Sequence, residues 1–585
     1  FGLAVIAAMT ASCSSNEDLG TAGPGTGEAG VGYATFTINL PTTSGTRSTE
    51  NDQFDGGTAS EYAVNDATLV IFDKGTETSE NKYKFVEAVP LGNLEPWKKD
   101  NESNNGITTE ATITAKLNSA KVDKTGDKYY ALVILNNEAA TGKKVTTPST
   151  TDTYGAWNVA ANVNATNLLD NKKGFYMANA PEFTTKNVEP TTLVAIKGIY
   201  RTKEEAQNNP ATTIHVERGL AKVTVGKNST STKDYFAEGG DNATGTKYSS
   251  DKVKITNWAL DVTNTKSFPV HETSGLMEGT TSKDETVLGY PEIWSNTAAI
   301  PSTIPATSRF VSNSTTFKRV YWGIDPNYST DYTTPEDCKG EFNILGNAKI
   351  TGDVAKPQYC LENTFDIYHM KQGQTTRVVF KATYTPSVLS SPTETDKTFF
   401  MIGNSTDIWT TKTLKAQIAS KAKEALSITT APTVELKEDL LKGGTHFLTT
   451  ENVSIKDGET EKVNTPGLVA ELNNKLGLDE KNGVGIKTYK NGESYYIARI
   501  KHFGDDLTPW SAGNDTYGDN NLNWLGRYGV LRNNWYDLTV NSISGPGYPD
   551  IPEVKPTDPD DENFKYISVS VKILDWAKRS QNVDL

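Results

Sequence analysis

The residues best able to do chemistry in this chain are three cysteines, five histidines and a scatter of carboxylates. Cys13 follows the apolar run Phe1–Met9 and the small residues of Thr10-Ala11-Ser12. An apolar core ending in small residues is the pattern of a secretory signal and its cleavage site. The run is too short to span a bilayer, which takes roughly 20 apolar residues. A Cys at such a junction offers a thiol for lipid attachment, after which cleavage makes it the new N-terminus of a bacterial lipoprotein. Thr10 stands where Leu is usual and no basic segment precedes the apolar run, so the sequence is expected to start inside its own signal. An ordinary signal with an incidental Cys is the alternative. Each buried methylene contributes about 0.8 kcal/mol and one chain binds reversibly, so several chains on Cys13 would anchor the precursor firmly.

The other two thiols are Cys338 and Cys360. An exported chain permits a disulfide between them, and two free buried thiols are the equal alternative. The histidines, His215, His271, His369, His446 and His502, form no HExxH and no two lie within four residues. Zinc-ligand spacing is therefore missing. His215 falls in a strand pattern and is expected to be a packed or surface residue. There is no GxSxG, Walker A or CxxC. Gly25–Gly30 matches GxGxxG formally, but no strand precedes it and no helix follows, so it reads as linker. Asp558, Asp560 and Asp561 fit no calcium loop and are expected to be solvated charge. Trp258, Trp294, Trp322, Trp510, Trp524 and Trp535 could line a sugar site, with core packing the simpler expectation. Paired carboxylates for glycoside chemistry need about 5–10 Å separation in a cleft, which spacing along a chain does not reveal. The chain reads as a non-enzyme with no catalytic residue, no cofactor and no metal.

The charge balance supports a surface role. A net charge of −14 and a pI near 5.1 disfavour nucleic acid and anionic membrane as partners. With 585 residues more than one domain is expected. Abundant Thr, Asn, Gly and Tyr, with few Met and His, suit an exported protein dominated by β-structure.

The elements follow from period. In Tyr33–Leu40, Ala34, Phe36, Ile38 and Leu40 share one face, as a half-buried strand requires. A polar loop carrying Arg47 follows. Lys128–Leu135 is nearly continuously apolar and suits a strand buried on both faces. Thr191–Ile199 and Thr213–Val225 are expected to close a first β-domain over 48–229. A second, over 230–544, should contain strands Lys252–Val262, Thr376–Tyr384, Lys397–Ile402, Glu493–Ile500 and Trp535–Ile543. Two helices look inserted, at Thr411–Ser427 and Gly467–Gly477, the first with Leu414, Ile418, Ala422 and Leu426 four residues apart. The flanking segments are the signal at 1–13, a polar Gly-rich tether at 14–32 and the first strand with its loop at 33–47. A Pro- and Asp-rich spacer at 545–563 should be extended and semi-rigid. The last segment, 564–585, holds a strand at Phe564–Trp576 with Ile567, Val569, Val571 and Ile573 on one face. One strand is not stable alone; it must dock on its own body or on another molecule.

Several stretches resemble one family. Tyr359–Thr364 (YCLENT) followed by TRVVFKATY at 376–384 is similar to a segment of the Bacteroidales type V fimbrillins. So is YGVLRNNWYDLTVNSISGPGYP at 528–549, ahead of a C-terminal arm. The ending QNVDL after Trp576 resembles the shaft subunits of the minor fimbrium, and HVERGLAKVTV at 215–225 is also similar. The resemblance implies an all-β-dominated fold of two transthyretin-like β-sandwich domains, with minor helical insertions and a C-terminal donor-strand arm. It further implies a fimbrial shaft subunit that travels as a lipoprotein to the outer membrane. An Arg-specific protease then cuts after an Arg in the loop behind the first strand, a position matched by Arg47. Subunits polymerise head to tail by strand exchange into an extracellular fimbrium serving adhesion and biofilm formation. The implied partners are further copies of the chain, tip and anchor subunits, and surface receptors of host or bacterial cells; the membrane is met only through the precursor lipid. A tip or anchor role, or a monomeric glycan-binding outer-membrane lipoprotein, is the alternative.

Overall fold

The computed structural model describes residues 31–40, 58–92, 94, 109–160, 163–184, 189–245, 247–273, 319–327, 330–346, 350–364, 369–503, 508, 526–560 and 567–574. Strands β1 (Gly32–Asn39), β2 (Ala67–Asp73), β3 (Lys84–Pro90), β4 (Glu110–Leu117), β5 (Tyr129–Leu135), β6 (Met177–Asn179), β7 (Val194–Ala195) and β8 (Thr212–Arg218) build the first sandwich. Their hydrogen-bonded order is β3-β2-β5-β6-β8-β1-β4, with β7 beside β5. β8 belongs to both layers: Thr212–His215 run parallel to β1, while Val216–Arg218 run antiparallel to β6. The sheet folds over at this strand. Phe36 and Ile38 of β1, Ile71 of β2, Val133 of β5 and Ile214 of β8 then share one core. On the outer face of β2 and β5, Val70, Phe72, Leu132 and Ile134 pack against Tyr154 and Trp157 of helix α1 (Tyr154–Ala160). Burial on both faces is why β5 is apolar along its length.

Strands β9 (Ala221–Lys227), β10 (Lys252–Asp261), β11 (Gln358–Cys360), β12 (Arg377–Thr385), β13 (Phe399–Ile402), β14 (Ile486–Tyr489), β15 (Glu493–Arg499), β16 (Trp535–Ile543) and β17 (Ile567–Leu574) follow. The second sandwich pairs a sheet of order β11-β9-β16-β17 with one in which β10, β12 and β15 are neighbours. Between them lie Val223, Leu538 and Val540 from the first, and Ile255, Trp258, Phe380 and Tyr496 from the second.

Two expectations change here. Thr213–Val225 is not one strand. It breaks at Gly219-Leu220, where the Gly219 N–H donates to the Tyr176 carbonyl and a Cβ would sit 2.8 Å from the Tyr176 ring. Since β9 pairs with β11 and β16, the sandwiches divide at this crossover rather than at residue 229. The expected helices form as Thr411–Ala425 and Pro466–Lys475, but they are more than decorations. Leu414, Ile418 and Ala422 join Val469, Leu472, Ile455 and Ile486 in a core of their own. β13 fastens this lobe to the sandwich by simple alternation: Phe399 and Met401 face the sandwich core, Phe400 and Ile402 the lobe core.

The spacer is also not a free arm. Tyr496 and Tyr489 hydroxyls donate to the Gly545 and Gly547 carbonyls (2.7 and 2.9 Å), and Tyr548 exchanges backbone bonds with Tyr495. Arg377 donates to the Pro552 carbonyl (2.7 Å) and the Gln372 N–H to that of Asp558 (2.9 Å). Val554 is buried beside Cys338, which lies on helix α2 (Pro335–Glu341). Asp560, expected to be solvated, is fully buried; Thr375 donates to its carboxylate (3.1 Å), and its own N–H donates to the Met370 carbonyl. A spacer so rich in carbonyls without competing N–H donors at Pro is held down by side-chain and backbone donors of the body.

Candidate strand-exchange surfaces

β1 is held on both edges. It runs antiparallel to β4, with Ala34 opposite Ala115, Phe36 opposite Ile113 and Ile38 opposite Ala111, and parallel to β8. Ala34, Phe36 and Ile38 are fully buried and Leu40 nearly so. On the other face Thr35 meets Thr114 and Thr37 meets Thr112, both at 3.0 Å, and Asn39 donates to Glu110 at 3.0 Å. Such cross-strand pairs add to ladder stability. Near its start Tyr33 exchanges backbone bonds with Tyr200, and just past its end the Leu40 N–H donates to the Thr109 carbonyl. Gly32 is required by packing: a Cβ there would lie 2.4 Å from the Ile199 Cγ2.

Among the described residues β17 has one paired neighbour. It pairs antiparallel with β16 from Trp535↔Leu574 to Ile543↔Ile567, with one irregularity between Val540 and Ser542. Val569 is buried in the sandwich core; the side chains of Ile567, Val571 and Ile573 lie outside the described residues. Of the two docking places open to the last strand, the single chain has it on its own body. Cys13 and Arg47 also fall outside the described residues.

Cys338 and Cys360 are free buried thiols in separate clusters, Cys360 in the core of the second sandwich and Cys338 beside Val262, Phe342 and Val554. The disulfide alternative is therefore not the one this fold adopts. Burial pushes their thiols up, to about 11 for Cys338 and about 12 for Cys360. Among the described residues no three His, Cys, Asp or Glu gather as metal ligands, and no helix is long and apolar enough to cross a membrane.

Sequence reasoning missed what the motif stretches do together. Residues of HVERG, YCLENT and RNN meet where the two sandwiches join. Glu61 takes Lys222 at 2.8 Å and the Tyr359 hydroxyl at 2.5 Å, and Arg218 donates to the Glu61 carbonyl at 2.7 Å. Burial opposes ionisation of Glu61, but Lys222 and Tyr359 outweigh it and hold the carboxyl below its usual range. Arg532 pairs with Glu362 at 2.6 Å and also donates to the Phe268 carbonyl. Glu217 sits 2.7 Å from His271 and 3.4 Å from Arg319, which donates to the Arg532 carbonyl. Lys222 lies 3.8 Å from the centre of the Trp535 ring, an indole for which core packing was the simpler expectation and a sugar site the alternative. The signal available was a surplus of Arg and Glu in segments otherwise patterned as buried strand.

Residues 487–582 match the family model described as "Major fimbrial subunit protein type IV, Fimbrillin, C-terminal". No curated protein matches the chain. Solved structures similar to it include a putative cell adhesion protein from Parabacteroides distasonis ATCC 8503 (11% identity, TM-score 0.36, covering 94% of this chain and 98% of that one). Others are a fimbrilin (fimA) from Porphyromonas gingivalis W83 (12%, TM-score 0.33, 94% and 99%) and the tip fimbrial protein Mfa3 from Porphyromonas gingivalis with C-terminal truncation (9%, TM-score 0.26, 93% and 100%). The matched segment begins within β14 and runs through β15, β16 and β17, and this part of the chain is similar to a fimbrillin C-terminal region.

Proposed function

We propose that this chain is a structural subunit of a cell-surface fimbrial shaft, exported as a lipoprotein precursor on Cys13 and matured by cleavage after Arg47. Cleavage frees β1, and a neighbour's terminal strand takes its place in the first sandwich. The observation that carries this reading is a complementary pair in one chain. β1 seals a core between two strands, and β17, of the same sequence alternation, is paired on one side among the described residues. Removing β1 would leave the β4 and β8 edges unpaired, which is a template for another strand.

Four aliphatic side chains at about 1.5–3 kcal/mol each, with ladder hydrogen bonds at roughly 1 kcal/mol, supply on the order of 10 kcal/mol before ordering costs. A head-to-tail contact that does not close makes a fibre. Lipid, tether and β1 would leave together, so the mature subunit is held by its neighbours and no longer by the membrane. The test is treatment of the purified precursor with an Arg-specific protease. SDS-resistant ladders should form, and both Arg47→Ala and deletion of 564–585 should abolish them. Cleavage at Arg47 that yields only monomer would sink the reading.

A further inference from the structure

The first sandwich carries a cleft of about 310 Å³ on its outer face, a volume at the lower end of the roughly 300–1,000 Å³ usual for small-molecule sites. It lies over β5, β7 and β8; its His215 stands beside Asn39 of β1 in the ladder, and its Val194 packs against the core that β1 closes. Its polar wall is Glu80, Tyr83, Tyr130, Glu182, Thr191 and His215. Ala180, Leu193, Val194 and Ala195 give it an apolar side. The rings of Tyr83 and Tyr130 are 4.7 Å apart between centroids and tilted by 54°, with Tyr83 buried behind the more exposed Tyr130.

The chemistry of the lining selects among ligands. Among the described residues that line the cleft there is no Lys or Arg. Lys74, whose ammonium reaches the Tyr130 hydroxyl, is already paired with Asp127 at 2.7 Å. His215 is kept toward its neutral form, since burial lowers its pKa. An anionic ligand would thus meet two carboxyl groups and, among the described lining residues, no Lys or Arg. A cation is poorly served as well. The Glu80 carboxylate already accepts the N–H groups of Thr192 and Leu193 at 2.9 Å each, and burial pushes its pKa up to about 7, so it offers little uncompensated charge. What remains is a mixed set of hydroxyl, carboxyl and imidazole groups facing a phenol ring and small apolar side chains. That combination suits a neutral polyol with one hydrophobic face.

We propose that this cleft is a binding site for a neutral pyranose, admitting one or two uncharged sugar rings of a surface glycan. The apolar face of the sugar lies on Tyr130 and the Ala180–Leu193 side. Its hydroxyls bond Glu182, Thr191, His215 and Glu80. The lining residues are all outside β1 and β17 and the cleft is present in the single chain, with His215 paired to Asn39 of β1.

The test uses the full chain in saturation-transfer NMR against galactose, N-acetylglucosamine and N-acetylgalactosamine. N-acetylneuraminic acid and N-acetyl-lysine methylamide serve as charged controls. At least one neutral sugar should bind, and binding should weaken tenfold or more in Tyr130→Ala and in His215→Ala while Tyr130→Phe keeps it. If Tyr130→Ala does not fold, His215→Ala at its partly exposed position decides, with an unchanged melting temperature as the control. Silence from every neutral sugar, preference for either charged control, or undiminished affinity in both Ala variants overturns the proposal. Ladder formation after protease treatment is a separate readout that none of these outcomes affects.

Discussion

Arg532 and Glu362 face each other at 2.6 Å with both side chains shielded from solvent, one from the strand-entry segment before β16 and the other from just after β11. A buried pair of this kind is costly to break from one side, because the remaining charge has lost its partner. Arg532→Ala or Glu362→Ala should each destabilise the chain by about 3–5 kcal/mol, read as a lower midpoint in urea. Arg532→Lys should recover only part of this, since a single ammonium replaces a fork that reaches Glu362, Ser267 and Phe268.

Asp325 gives the stability a pH slope. Burial raises its pKa from the carboxylate value of 3.8 to about 7, more than the Thr364 and Asn327 N–H groups can offset. A folded state that keeps a proton the unfolded chain has released loses stability as pH rises from about 4 to about 7. Glu80 acts in the same sense, from 4.5 to about 7. The wild-type melting temperature should therefore fall between pH 5 and pH 8 by more than that of Asp325→Asn. Parallel profiles for the two proteins would refute the assignment.

The two thiols should be silent in the native state. Both are buried, and their raised pKa values leave almost no thiolate at neutral pH. A disulfide-exchange reagent should modify neither Cys338 nor Cys360 until denaturant is added, and then both. Reductant should leave the intact mass unchanged.

Phe36 separates precursor from mature subunit. Phe36→Ala removes a fully buried ring from the first core and should cost the uncut chain about 3–5 kcal/mol. Once β1 has left, the same substitution should have no effect on ladder stability. Weaker ladders from the cut variant would mean that β1 is not displaced.

Asp560 sets how much arm is available. The chain is pinned there by Thr375 and Met370, leaving 561–566 before β17, a reach of at most about 20 Å at 3.3–3.6 Å per residue. Asp560→Ala should loosen the pin and speed ladder formation after cleavage, as followed by gel over time.

Much of this architecture was legible because it rests on alternation. Ala34, Phe36, Ile38 and Leu40 announce their shared face, Trp535–Ile543 is found to the residue, and the Leu414–Ile418–Ala422 stripe locates its helix. Long-range polar pairing was not legible. Asp560 looks solvated until Thr375, far back in the chain, is brought beside it. Gly219 reads as a tolerated strand residue, and only the Tyr176 ring explains why the chain must break there. The cleft was hidden for a related reason: Tyr83, Tyr130 and His215 lie on three separated segments, and each alone reads as ordinary strand or turn. A lobe with its own core was read as two inserted helices, because the short apolar segments around Val434, Leu448 and Val453 carry no period long enough to signal a sheet.

The crossover at Gly219-Leu220 has a mechanical meaning. In a filament built by strand exchange, tension would enter each subunit along β8, the strand lining the emptied groove. It would leave through the arm that follows β16. β8 continues into β9 within two residues, and β9 lies parallel to β16 from Lys222↔Trp535 to Lys227↔Val540. The pull thus crosses the subunit by a short covalent step and then loads that ladder in shear, sharing force over many hydrogen bonds at once, beside the buried Arg218 and Lys222. The helical lobe stands outside this line of force and a stretched shaft would keep it unstrained, whereas the cleft, with His215 of β8 in its wall, borders the loaded strand.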